Sequence, residues 1–148
     1  MPLVMLSLGM LLGACDVGFL SLRRTTSLPP RASPAATAFL FKSALDSGRI
    51  ADALRLLATA DGAPLLADDR YELAPDIERL VRLLAGLPIT HVRIDTPETT
   101  RAFVWLEVDH LHTLYFTLRY QDSLWVITAL ERIPWRRPAI RVFPPPIE

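Results

Sequence analysis

The chain of 148 residues has one cysteine, Cys15, one lysine, Lys42, and three histidines. A single cysteine excludes an internal disulfide and any zinc site built from several thiolates. Packing alone must hold the fold together. Lys and Arg together number 16, as do Asp and Glu, so the formal net charge is zero. Nucleic-acid binding leaves a basic stripe, which this balance does not offer, so no nucleic-acid partner is expected. Every cation but Lys42 is an arginine, which reads as the codon bias of a GC-rich genome before it reads as phosphate binding. A glycine-rich phosphate loop, a nucleophile elbow and a zincin helix are all missing. No cofactor is expected and no catalytic constellation emerges.

Charge is also missing from residues 1–14, which are apolar almost throughout. That run is too short to span a hydrocarbon core, which takes about 20 residues. It suits the apolar region of a signal peptide, typically ~7–15 residues. Leu12-Gly13-Ala14-Cys15 resembles a bacterial lipobox. The resemblance implies cleavage before Cys15, lipidation of its sulfur, and a membrane partner held through acyl chains at ~0.8 kcal/mol per buried CH₂. Asp16 resembles the residue that retains proteobacterial lipoproteins at the inner membrane. The expected location is the outer side of a bacterial cell membrane, facing the periplasm where the host has two membranes. One departure stands: no basic residue precedes the run, and Arg23-Arg24 comes after it. The alternative is an uncleaved helix over residues 2–22, with Asp16 near its middle at a cost of ~2.5–3.5 kcal/mol.

Residues 15–33 form a tether rich in Thr, Ser and Pro, without helical period. The folded domain is expected over residues 34–132. Ser33 is a good N-cap and Pro34 suits the first helical position. Ala36, Leu40, Phe41, Ala44 and Leu45 fall near helical spacing, and Ser47-Gly48 ends the element. A second helix is expected over residues 49–58. Residues 64–73 read as a connector with a short strand at Leu65-Leu66. A third helix starts at Pro75, with Asp76 and Glu78 in its first turn and Ile77, Leu80, Val81 and Leu84 on its apolar face.

From Ile89 the period becomes two. Strands are expected over residues 89–96, 101–108, 112–120 and 124–131, joined by short turns as an antiparallel meander. A three-residue loop at Asp109-His110-Leu111 would set Val104 and Leu106 beside Leu114 and Phe116. A two-residue loop would not, because one step of register flips every side chain. The last strand reads as Leu124, Val126 and Leu130 against Trp125, Ile127 and Ala129. Either register leaves a second face with Phe103 and Trp105, too apolar for a solvated sheet face.

The fold class is α+β, two short helices and one longer amphipathic helix on a four-stranded antiparallel sheet. This order, with GRIADALRLLA and YELAPDIERLVRLLAGL as second and third helices, resembles the nuclear-transport-factor-2-like, or cystatin-like, fold. That resemblance implies a sheet wrapped as a half-open cone. Its members include pocket enzymes and non-catalytic domains, so the fold does not give the function.

Candidate site residues are few. Phe103, Trp105, Tyr115 and Trp125 are candidates for a pocket or an interface, with a protein partner or a homodimer through the sheet face. Asp109, His110 and His112 are weak candidate metal ligands, since their spacing matches no closed site. The tail, residues 133–148, is IPWRRPAIRVFPPPIE. Its prolines forbid a helix, and Trp135, Ile140, Val142 and Phe143 are expected to dock on the domain's open sheet face, the alternative being display of Pro144-Pro145-Pro146 to a partner. The expected role is a lipid-anchored binding or assembly module without catalysis. The alternative is a pocket-type enzyme or carrier for a small apolar ligand.

Overall fold

The structure, a computed structural model, describes residues 31–134. Cys15 and Asp16, with the expected cleavage and lipidation, lie outside the described residues, as does the tail beyond Pro134. Among the described residues no helix is long and apolar enough to cross a membrane. Three helices, α1 (Pro34–Asp46), α2 (Ile50–Leu54) and α3 (Ala67–Leu84), precede four strands: β1 (Ile89–Glu98), β2 (Arg101–Val108), β3 (His112–Gln121) and β4 (Leu124–Pro134). The strands form one antiparallel sheet in sequence order, β1-β2-β3-β4. This is the expected α+β class, three helices followed by a four-stranded antiparallel sheet.

α1 starts and stops where its caps dictate. The Ser33 Oγ accepts the Ala36 N–H at 3.1 Å, with Pro34 at the first position. At the far end Gly48 takes φ +63°, a conformation that costs a side chain energy. The Gly48 N–H then reaches the Leu45 carbonyl at 3.0 Å and the Arg49 N–H the Ala44 carbonyl at 2.8 Å, which closes the last turn.

α2 is shorter than the expected 49–58. Its last residues leave the helix to cover an edge of the sheet. The Ile127 N–H donates to the Leu56 carbonyl at 3.0 Å, and the Ala58 N–H to the Ile127 carbonyl at 2.8 Å. α3 is longer than expected and begins well before Pro75. The supposed connector and short strand are its lead-in and first turns. Asp68 and Asp69 lie in that first turn, where the helix dipole favours acids, and Asp69 Oδ2 accepts the Leu66 N–H at 3.0 Å. Pro75 removes only the bond to the Tyr71 carbonyl. Tyr71 is 84% exposed, so solvent is at hand on that side of the helix.

The three-residue loop sets the sheet register: Val104 faces Phe116 and Leu106 faces Leu114. Asp109 and His110 turn this corner at φ +52° and +56°, the left-handed region that Asp and His tolerate better than most residues. Ala102, Val104, Leu106, Val108, Leu114, Phe116 and Leu118 share the inner face and are fully buried. β4 departs from the expected alternation. Thr117 faces Ala129 and Leu118 faces Ile127, so Thr128 is an extra residue in the ladder, a bulge. The bulge shifts the phase by one. Trp125, Ile127 and then Leu130 turn inward, which corrects the grouping of Leu130 with Leu124 and Val126.

α1 occupies the hollow of the sheet. Phe41 meets Phe116 edge to face, ring centroids 5.6 Å apart at 78°. Lys42 is 1% exposed on the same helix. Its Nζ donates to the Leu87 carbonyl at 2.8 Å and pairs with Asp46 Oδ1. Asp46 Oδ1 also accepts the Gly86 N–H at 2.9 Å. This latch ties the end of α1 to the turn between α3 and β1.

Candidate functional site

The outer face of the sheet carries the densest cluster of aromatic side chains. Trp105 and Tyr115 are directly opposed across β2 and β3, ring centroids 5.0 Å apart. Phe103 stacks on Tyr115 at 5.8 Å and 18°. The pleat dictates this: alternate residues of β2 that are not core must point outward together. Two cations lie on the rings. The Arg93 guanidinium sits 5.0 Å from the Trp105 centroid and that of Arg101 5.1 Å from Phe103. Each such contact contributes ~0.5–1 kcal/mol at an exposed site. The three rings stay half-buried.

Trp125 does not join them. It lies on the inner side, 8% exposed, with its ring 5.3 Å from Tyr120. The β3–β4 turn is the reason, because it sets Trp125 opposite Tyr120 and Ile127 opposite Leu118, in phase with the inner face. Arg93 and Arg101 join the cluster although nothing in the sequence marks them as site residues. Arg93 meets Trp105 only through the β1–β2 register, whereas Arg101 shares its face with Phe103 by the two-residue period of β2.

Asp109, His110 and His112 do not form a metal site. Among the described residues no group of three His, Cys, Asp or Glu side chains could hold an ion. The turn sends each histidine elsewhere. His110 Nδ1 lies 2.9 Å from Glu107 Oε1. His112 Nδ1 lies 3.4 Å from the Arg132 guanidinium, a cation that disfavours a metal beside it. Glu107 also accepts the Thr90 hydroxyl at 2.8 Å.

The Thr90 hydrogen bond first, then His110, holds the Glu107 carboxyl below its usual range, since both stabilise the charged form. Folding thus favours the carboxylate. That contribution is full above the ordinary glutamate value, about 4.3, and is lost as pH falls through the lowered one. Thr90→Val is expected to move the Glu107 titration up toward its ordinary value. Carbon-detected NMR of the carboxyl would measure this, and an unmoved midpoint would contradict it.

A second feature is a cleft of about 450 Å³ between α3 and β4. Leu73, Ile77, Leu80 and Leu83 form one wall, Ile127 and Leu130 the other. Its charged groups stand at the rim, where Asp76 pairs with Arg79 at 3.2 Å. Among the described residues no buried side-chain polar atom lacks a partner. The cleft offers apolar walls with Asp76, Arg79 and Arg132 among its lining.

No protein-family model matches the chain, and no curated protein does. Among solved structures the chain is similar to a protein of unknown function with a cystatin-like fold from Nostoc punctiforme. The TM-score is 0.45 at 12% identity, over 66% of this chain and 85% of that one. The likeness is one of fold alone.

Proposed function

We propose that the protein is a lipid-anchored, extracytoplasmic module without catalysis, which presents the outer face of its sheet to a protein partner. The observation that carries the binding part is the Phe103–Trp105–Tyr115 cluster with Arg93 and Arg101 laid over it. Trp, Tyr and Arg are the residues on which interface energy concentrates. The hollow of the sheet supports the same reading, because Phe41 and Phe116 pack edge to face within it and both are fully buried. The anchor rests on Leu12-Gly13-Ala14-Cys15 alone. A second reading, a carrier for a small apolar ligand, draws on the cleft beside α3, whose volume lies in the ~300–1,000 Å³ range of ligand sites.

The test is made on the full chain in a bacterial host fed a palmitate analogue, with a photo-crosslinking residue at Thr117 beside the cluster. The wild type should take the lipid label, and Cys15→Ser should not. The crosslinked adduct should disappear in Trp105→Glu while the melting curve is kept. Equal labelling of both chains, or an adduct indifferent to Trp105→Glu, would overturn the reading.

A further inference from the structure

We infer that residues 139–143 of this same chain form a fifth strand along the outer edge of β4 and place Ile140 and Val142 in the α3–β4 cleft. The inference goes beyond the proposed role of the outer face and does not depend on it. Its starting point is the edge of β4. Ile127 turns both its N–H and its carbonyl away from β3, to residues 56–58. Phe116 lies two residues from Leu118 on β3. Leu130, opposite Phe116, must therefore turn its peptide the same way as Ile127, opposite Leu118. Arg132, opposite Leu114, does likewise. Among the described residues no backbone group meets this second half of the edge. An open edge beside an apolar cleft is a template for an added strand.

The occupant is set by where the chain goes. It leaves β4 at Pro134, just past Arg132 at the cleft rim, and continues as WRRPAIRVFPPPIE. The other end of the described chain, Arg31, is held by the Trp125 N–H at the start of β4 and is far from this half of the edge. Turning back at residues 135–137 sets Pro138 opposite Pro134. Arg132 then faces Ile140, Glu131 faces Arg141 and Leu130 faces Val142. This parity puts both aliphatic side chains on the cleft side, with Leu130. It also puts Arg141 on the outer face against the exposed Glu131, a cross-strand pair of opposite sign. A shift by one residue would bury Arg141 and expose Ile140 and Val142. Residues 139–143 span ~17 Å at about 3.4 Å per residue, the reach of the open edge. Proline is tolerated on an edge strand, and Pro144 ends the pairing.

The test uses the full chain with Cys15→Ser, which leaves no native thiol. Glu131→Cys with Arg141→Cys should close a disulfide within one chain, because opposed strand residues lie at ~4.5–5.5 Å between Cα atoms. It should form at least tenfold faster than in the pair Glu131→Cys with Val142→Cys, whose side chains point to opposite faces. Amide exchange in the unsubstituted protein gives an independent measurement. Leu130 and Arg132 should be protected at least tenfold in the full chain and lose that protection in a chain ending at Pro134. Equal closure rates, a bridge formed mainly between two chains, or unchanged exchange on truncation would each overturn the inference.

Discussion

Asp46→Ala is expected to destabilise the domain by about 3 kcal/mol, the lower end of the usual loss when one partner of a buried ion pair is removed. The reason is the asymmetry of the pair. The Lys42 side chain is 2% exposed and that of Asp46 39%. Without Asp46 the buried ammonium keeps only the Leu87 carbonyl, and the Gly86 N–H loses its acceptor. In a domain of this size such a loss lowers the melting temperature by roughly 10–20 °C. Lys42→Met should cost less, because the half-exposed Asp46 can be hydrated once its cation is gone. Thermal melts of the two variants decide the matter. If Lys42→Met is the more damaging, burial of the charge is not what makes the latch costly to break.

Phe116→Ala should cost about 3–5 kcal/mol, the usual loss for a fully buried phenylalanine cut to a methyl. Phe116 is 0% exposed and lies against α1, so the void would open where helix and sheet meet. Urea denaturation measures the change. A double-mutant cycle with Phe41→Ala should return a coupling of ~0.5–1.5 kcal/mol for the edge-to-face contact. A cost under about 1 kcal/mol for Phe116→Ala would mean that the helix collapses into the space, and that α1 is not the rigid centre of the domain.

The parts of this fold that were legible in the sequence are those set by local chemistry. Ser33-Pro34 and Ser47-Gly48 delimit α1 because capping needs only a few neighbouring residues. The strands of the meander were legible through their period of two. The start of α3 was not, because Pro75 looks like a helix start. Only the acids at Asp68 and Asp69 signalled the earlier one. The β4 bulge was hidden too: an extra residue at Thr128 leaves no mark in composition, yet it turns Leu130 inward and Ala129 outward. The candidate surface was half legible. Phe103 and Trp105 stood out as too apolar for a wet face, and Tyr115 as a candidate pocket or interface residue. Arg93 did not, because pairing across strands depends on the register, and Arg101 did not because a shared face with Phe103 is also what any solvated strand-end arginine would show.

Lys42 is the one lysine of the chain, and it is sealed inside the domain. The folded domain therefore shows no primary amine to an acylating reagent, and Lys42 becomes reactive only when the structure opens around it. Chemical coupling through lysine would thus report unfolding rather than surface. Any attachment meant to leave the domain intact has to go through some other functional group.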